Sequence, residues 1–152
     1  MITAKDIMTK DVIYVHKDVS ACEAARLLVE HDIAGMPVVE DDMTVLGVIT
    51  EKDLLRLYTS RDNASHQAVQ HFMSHPPVWY REDETFDKIY YFMLLNYFRR
   101  IPVVSPEGKL VGVISRRDVL RHILAQTNSC ESACETVLEP SRAAVACGHP
   151  AD

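Results

Sequence analysis

Short apolar runs alternate with longer amphipathic stretches through the first 126 residues, and the whole alternation occurs twice. Each round opens with an extended, β-branched or aromatic segment, Val12-Ile13-Tyr14-Val15 or Val78-Trp79-Tyr80, which predicts a strand. Asp18 and Ser20, like Asp83 and Thr85, are cap-type residues placed where a helix begins, so helices are predicted over about 19–30 and 85–96. Pro-Val-Val follows at 37–39 and at 102–104 as a short apolar strand, then the turns Glu40-Asp41-Asp42-Met43 and Ser105-Pro106-Glu107-Gly108. A second strand (45–49, 110–114) leads into a last helix from Thr50 or Ser115. The pattern is an α/β fold of two β-α-β-β-α units. A unit of about 50 residues is small for an adequate core of its own, so the two are expected to pack together.

The two rounds are copies. At an offset of 65 residues, Gly47-Val48-Ile49-Thr50-Glu51-Lys52-Asp53 falls on Gly112-Val113-Ile114-Ser115-Arg116-Arg117-Asp118, and Met36-Pro37-Val38-Val39 on Ile101-Pro102-Val103-Val104. Eleven of the 49 aligned positions between 8–56 and 73–121 are identical, without a gap, which chance does not produce. The expected organisation is a first domain at 1–60, a linker at 61–72, a second domain at 73–126 and a tail at 127–152. The helix of the second copy is apolar nearly all round, with Phe86, Ile89, Tyr90, Tyr91, Phe92, Met93, Leu94, Leu95, Tyr97 and Phe98. One face must pack on its own repeat; the other predicts either self-association through 85–98 or cover from the other repeat.

Two copies of (I/M)-P-V-V, a turn, and G-V-I-(T/S)-x-x-D at matched spacing resemble a pair of cystathionine β-synthase (CBS) domains, a Bateman module, over about 1–126. That resemblance implies tandem units packed as a pseudo-twofold CBS-domain pair, with two clefts that take AMP, ADP, ATP or S-adenosylmethionine. It also implies a regulatory module acting on a partner protein, with no catalysis of its own and no cofactor required. On the matching positions, Asp53 and Asp118 correspond to the acid that holds a ribose, and Thr50 and Ser115 to the hydroxyl beside ribose or phosphate. Met36, Pro37, Ile101 and Pro102 correspond to the apolar entry of the base pocket, Ile13 and Val78 to first-strand residues beside the base. Arg99 and Arg100 match the basic residues that precede the I-P pair and meet phosphate, whereas Ala34 and Gly35 do not.

The residues support a second account of the same motifs. Thr50-Glu51-Lys52-Asp53 and Ser115-Arg116-Arg117-Asp118 have the outline of capping boxes, and a helix start with free N–H groups also suits a phosphate. Capping and binding are compatible. Arg99, Arg100, Arg116 and Arg117 crowd the second motif, while the first offers Lys52 but also Glu51, with Glu40, Asp41 and Asp42 nearby. The expectation is that the Asp118 cleft prefers an adenine nucleotide and the Asp53 cleft is weak, empty or takes a less anionic ligand.

Composition narrows the alternatives. Sixteen Lys+Arg against 22 Asp+Glu leave a net charge of -6, which makes a nucleic-acid partner an unlikely expectation. No apolar run approaches the roughly 18 residues of a membrane span, and the start lacks the apolar core of a signal peptide, so a cytoplasmic protein is expected; the apolar helix 85–98 makes a homodimer the expected assembly. Cys22, in an apolar helical stretch, is expected to be buried. Cys130, Cys134, Cys147 and His149 in the tail are the only metal candidates; the first pair has zinc-like spacing, but Cys147-Gly148-His149 is tighter than usual, and no metal is assigned. No G-x-S-x-G turn or acid–base carboxylate pair stands out, so an enzyme is not expected. A ligand-free interaction module, dimerising through the aromatic helix, is the alternative.

Overall fold

The computed structural model describes residues 1–59, 66–74 and 78–127. In chain order the elements are α1 (Ala4–Ile7), β1 (Val15–His16), α2 (Ala21–Glu30), β2 (Gly35–Val39), β3 (Val45–Thr50) and α3 (Glu51–Thr59). After a 3-10 turn at Val69–His71 come β4 (Tyr80–Arg81), α4 (Phe86–Leu95), β5 (Arg100–Val104), β6 (Leu110–Ser115) and α5 (Arg116–Gln126). Two three-stranded sheets form, β1-β2-β3 and β4-β5-β6. Their registers repeat at the offset seen in the sequence: Val15 pairs with Val38 and Tyr80 with Val103 in parallel, Met36 with Ile49 and Ile101 with Ile114 in antiparallel. Even the bulges recur, at Val38/Val39 and Val103/Val104. The middle strand β2 is buried at every residue, as a continuous apolar run requires, while β3 alternates buried and half-buried positions.

The first strands are shorter than the sequence suggests, because only Val15–His16 and Tyr80–Arg81 pair with a neighbour. Helix α2 starts on the Ser20 hydroxyl, which accepts the Glu23 N–H at 3.1 Å, and buries Ala21, Ala24 and Leu28 at i, i+3 and i+7. Cys22 sits beside that stripe and is exposed, contrary to the expectation of a buried thiol. On α4, Ile89 and Met93 face the second core, whereas Tyr91, Leu95 and the following Tyr97 are 59%, 77% and 99% exposed. The other repeat therefore leaves the second face of this helix uncovered.

The cores are assembled across the chain order. Residues Ala4 to Met8 lie on the second core: Ala4 is fully buried among Ile89, Ile101 and Ile114, and Ile7 and Met8 pack beside it. The symmetric segment, read from sequence as the end of the linker and the first residue of the second domain, lies on the first core, where Val69 is fully buried and Met73 nearly so. Backbone bonds hold both crossings, with Thr9 N–H donating to the Val113 carbonyl (2.9 Å) and Ser74 N–H to the Val48 carbonyl (3.1 Å). Glycine permits this approach, since a Cβ on Gly47 would stand 2.7 Å from the Ser74 carbonyl oxygen, and one on Gly112 would overlap the Met8 thioether. Where the repeats meet, Val39, Val45 and Val104 form a shared cluster with Met43 and Leu110. Lys109 Nζ ties the turns together, 2.8 Å from Asp42 Oδ2 and donating to Thr44 Oγ1 at 3.3 Å; this pairing holds the Asp42 carboxyl well below the usual carboxylate range.

Candidate ligand-binding clefts

Strands β3 and β6 each end in a hydroxyl residue that starts a helix, and both starts are closed capping boxes. Asp53 Oδ2 accepts from the Thr50 N–H (3.0 Å) and hydroxyl (2.9 Å). Asp118 Oδ2 accepts from the Ser115 N–H (2.7 Å) and hydroxyl (2.8 Å). Capping thus uses one oxygen of each carboxylate and leaves Oδ1 for other partners. Asp118 is the one buried charged residue among those described, 5% exposed, with Arg121 Nη1 at 3.1 Å from its Oδ1.

Asp118 and Ser115 open onto a cleft of about 240 Å³ lined also by Thr9, Asp11, Ile13, His31, Ile33, Arg100 and Val113. The cleft is composite. Ile13, His31 and Ile33 belong to the first repeat, Arg100, Val113, Ser115 and Asp118 to the second, and Thr9 and Asp11 to the crossing segment between them. Ile13 and Ile33 also pack against the first core, so the apolar wall is fixed from beneath. The same lining holds a helix N-terminus, the Arg100 guanidinium and the His31 imidazole together with the Asp11 and Asp118 carboxylates; apolar walls suit a ring, and a helix start with a guanidinium suits an anion.

Of the residues singled out from sequence, Ile13, Arg100, Ser115 and Asp118 come together here. Arg116 does not. It lies along a different, apolar groove of about 330 Å³ between α4 and α5, with Tyr90, Met93, Leu94, Val119, Leu120 and Ile123, and its Nη2 donates to the Asn96 carbonyl at 3.2 Å. Arg99 and Arg117 are exposed and absent from the cleft lining. Met36, Pro37, Ile101 and Pro102 are fully enclosed, so they shape the cleft from inside the cores. Val78 packs half-buried on the second core. By the 65-residue offset, the residues corresponding to this lining around Thr50 and Asp53 are Ser74, Val78, Asn96, Phe98, Gly35 and Val48, and Pro76, the counterpart of Asp11, lies outside the described residues. Gly35 brings no charge where Arg100 does. Thr9, Asp11, His31 and Ile33 were not anticipated; only Thr9 left a trace, in the match of Met8-Thr9 to Met73-Ser74. Cys130, Cys134, Cys147 and His149 lie outside the described residues, and among those described no His, Cys, Asp and Glu group is arranged for a metal.

Comparison with known proteins agrees with this geometry. The family model of the CBS domain matches twice, at residues 4–60 and 69–125. The chain belongs to the CBS-domain family. Its CBS pair is 33% identical over 118 residues to an uncharacterised 17.7 kDa protein of Acidianus ambivalens, covering 78% of this chain and 71% of that one. Among solved structures it resembles CBSX2 in complex with AMP, at 31% identity and a TM-score of 0.74 over 83% of this chain and 98% of that chain; CBSX2 is a chloroplastic protein of Arabidopsis thaliana. It also resembles the CBS pair of MJ0100 in complex with 5′-methylthioadenosine and S-adenosyl-L-methionine, at 25% identity and a TM-score of 0.71 over 84% and 99%. Other curated relatives are much longer: the chain spans 23% and 22% of two enzymes that it matches. No helix among the described residues is long and apolar enough to cross a membrane.

Proposed function

We propose that this CBS pair is a regulatory module that binds an adenosine-containing ligand, AMP, ADP, ATP or S-adenosylmethionine, and conveys its presence to a partner protein. The observation that carries this reading is the composite Asp118 cleft, in which a capped carboxylate, a helix start and Arg100 share one lining with the apolar Ile13 and Ile33. AMP in CBSX2 and the two adenosyl ligands in the MJ0100 pair support the ligand class. Because the walls come from both repeats, a ligand there fastens one repeat to the other, which is a physical route from binding to a change at the surface. The Arg100 guanidinium favours a phosphorylated ligand at Asp118 by direct contact, since its counterpart at the other motif is Gly35, while Asp11 in the same lining sets the phosphate on the Arg100 side. The module is proposed to bind without catalysing.

A thermal-shift panel with AMP, ADP, ATP and S-adenosylmethionine on the wild type, Asp53→Ala and Asp118→Ala tests the proposal. A ligand at 100 times its Kd stabilises by about 2.7 kcal/mol. A nucleotide shift lost in Asp118→Ala and kept in Asp53→Ala is expected; no shift with any ligand in the wild type would sink the reading.

A second reading concerns assembly. The apolar groove between α4 and α5, with Tyr91, Leu95 and Tyr97 beside it, supports a homodimer through the aromatic helix, since such a surface is rarely left to water. Sedimentation of Leu95→Asp should give a monomer where the wild type gives a dimer; equal masses would remove this interface from the account.

A further inference from the structure

Asp53 and Asp118 stand at matching places, begin the same kind of helix and each carry an arginine three residues on, yet their carboxylates are engaged differently. A carboxylate offers about four lone-pair positions. At Asp118 all are used: Oδ2 takes the Ser115 N–H and hydroxyl, and Oδ1 takes the Thr9 hydroxyl (3.1 Å) and Arg121 Nη1 (3.1 Å). At Asp53 the described residues fill only Oδ2. Its Oδ1 faces the Arg56 guanidinium at 3.6 Å, beyond hydrogen-bond length, because Arg56 is drawn to the carbonyls of Asp53 (3.2 Å) and Phe72 (3.1 Å). Ser74, the counterpart of Thr9, turns its hydroxyl to the Val48 carbonyl at 3.2 Å and leaves Asp53 alone.

We propose that Thr9 is an internal competitor for the ligand's diol: its hydroxyl sits on the acceptor position of Asp118 that a ribose would take, so the Asp118 cleft binds a nucleoside only by displacing it. This inference rests on the adenosine-ligand reading above. The consequence is a difference between the clefts. At Asp118 the diol exchanges one hydroxyl for another and gains little, so binding depends on the phosphate that Arg100 receives. At Asp53 no described residue hydrogen-bonds Oδ1, so there a diol exchanges nothing with a described side chain. Thr9 is a specificity-determining residue that acts by occupying Asp118, while its backbone pairs with Val113 in both directions, at 2.9 and 3.0 Å, and keeps the crossing segment docked.

The experiment uses Asp53→Ala protein, in which only the Asp118 cleft retains its acid, and titrates it calorimetrically with AMP and with adenosine. Adding Thr9→Val removes the hydroxyl and keeps the shape and both backbone bonds. The expected result is about tenfold tighter binding of both ligands, about 1.4 kcal/mol each, with the ratio of AMP to adenosine affinity unchanged. Thr9→Ser restores the original affinities. Structural damage would weaken binding, so a gain in affinity separates competition from disruption. Affinities that stay within twofold, or fall, in Thr9→Val overturn the proposal. Should Asp53→Ala protein bind no AMP while the wild type does, the Asp118 cleft takes no nucleotide and the inference fails with the general reading intact. A wild type that binds neither AMP nor adenosine nor S-adenosylmethionine overturns both.

Discussion

Val69→Ala is the substitution that probes the crossed architecture most simply. Val69 comes from the segment between the repeats, and in a fold whose units were closed in sequence it would be a surface residue. Here its side chain is fully buried in the first core, and its N–H donates to the Val19 carbonyl at 2.7 Å. Replacing it removes two methyl groups' worth of buried surface, about 1.6 kcal/mol at roughly 0.8 per carbon, plus a cavity contribution, giving about 2–3 kcal/mol in all. Unfolding entropy of about 2.1 cal/mol/K per residue over roughly 120 ordered residues makes that about 8–12 °C in Tm. Val29→Ala is the matched control, because Val29 is 81% exposed on α2; its effect should stay within about 0.5 kcal/mol. Calorimetric or circular-dichroism melts of the three proteins give the answer. A shift for Val69→Ala no larger than that for Val29→Ala would refute the assignment of this segment to the first core.

Three further outcomes follow from the same coordinates. Gly47→Ala should lose about 1–3 kcal/mol in urea unfolding, because its Cβ would meet the Ser74 carbonyl oxygen, a backbone atom that cannot rotate aside. Tyr80 has its phenol pushed up to about 12, by burial first and by Glu84 second; the unfolded chain therefore ionises it first, and stability drops as pH rises between about 10 and about 12. Tyr80→Phe, whose parent hydroxyl has no partner among the described residues, should be as stable as the wild type or more so at neutral pH. Denaturant midpoints at about pH 9 and about pH 11 should then fall less for this variant than for the wild type. Arg100→Ala should weaken AMP binding by about tenfold or more, a charge-assisted contact being involved, while Arg116→Ala leaves it within twofold; equal effects in a titration would contradict their placement on different grooves.

Much of this fold could be read from the chain because duplication prints the same physics twice. The match of Gly47-Val48-Ile49 to Gly112-Val113-Ile114 corresponds to identical strand registers, and the paired Thr50/Asp53 and Ser115/Asp118 motifs are closed capping boxes in both copies. Direction was harder to read than position. Arg100 opens β5 and lines the cleft, whereas Arg99, just before the strand, is exposed and absent from the lining. Arg116 and Arg117 are adjacent on a helix, roughly 100° apart, and Arg116 turns toward α4. Cys22 is displaced from the buried stripe of α2 by the same geometry. The crossing of Ala4–Met8 and Val69–Met73 between cores is a tertiary choice that no local pattern encodes. Its trace was the pairing of Met8 and Met73 with Gly112 and Gly47, which becomes meaningful only once the thioethers are seen lying on the glycines. His31 and Asp11 left no repeated signal at all, since their counterparts are Asn96 and Pro76.

The claim on which the account turns is that adenosine ligands bind through the two capped aspartates. Isothermal titration of AMP into the wild type and into Asp53→Ala/Asp118→Ala protein, each first confirmed folded by its melting transition, tests it directly. Saturable heat in the wild type and its loss in the double variant is the predicted result. Binding that persists undiminished in the double variant would contradict the account, placing the ligand away from both clefts.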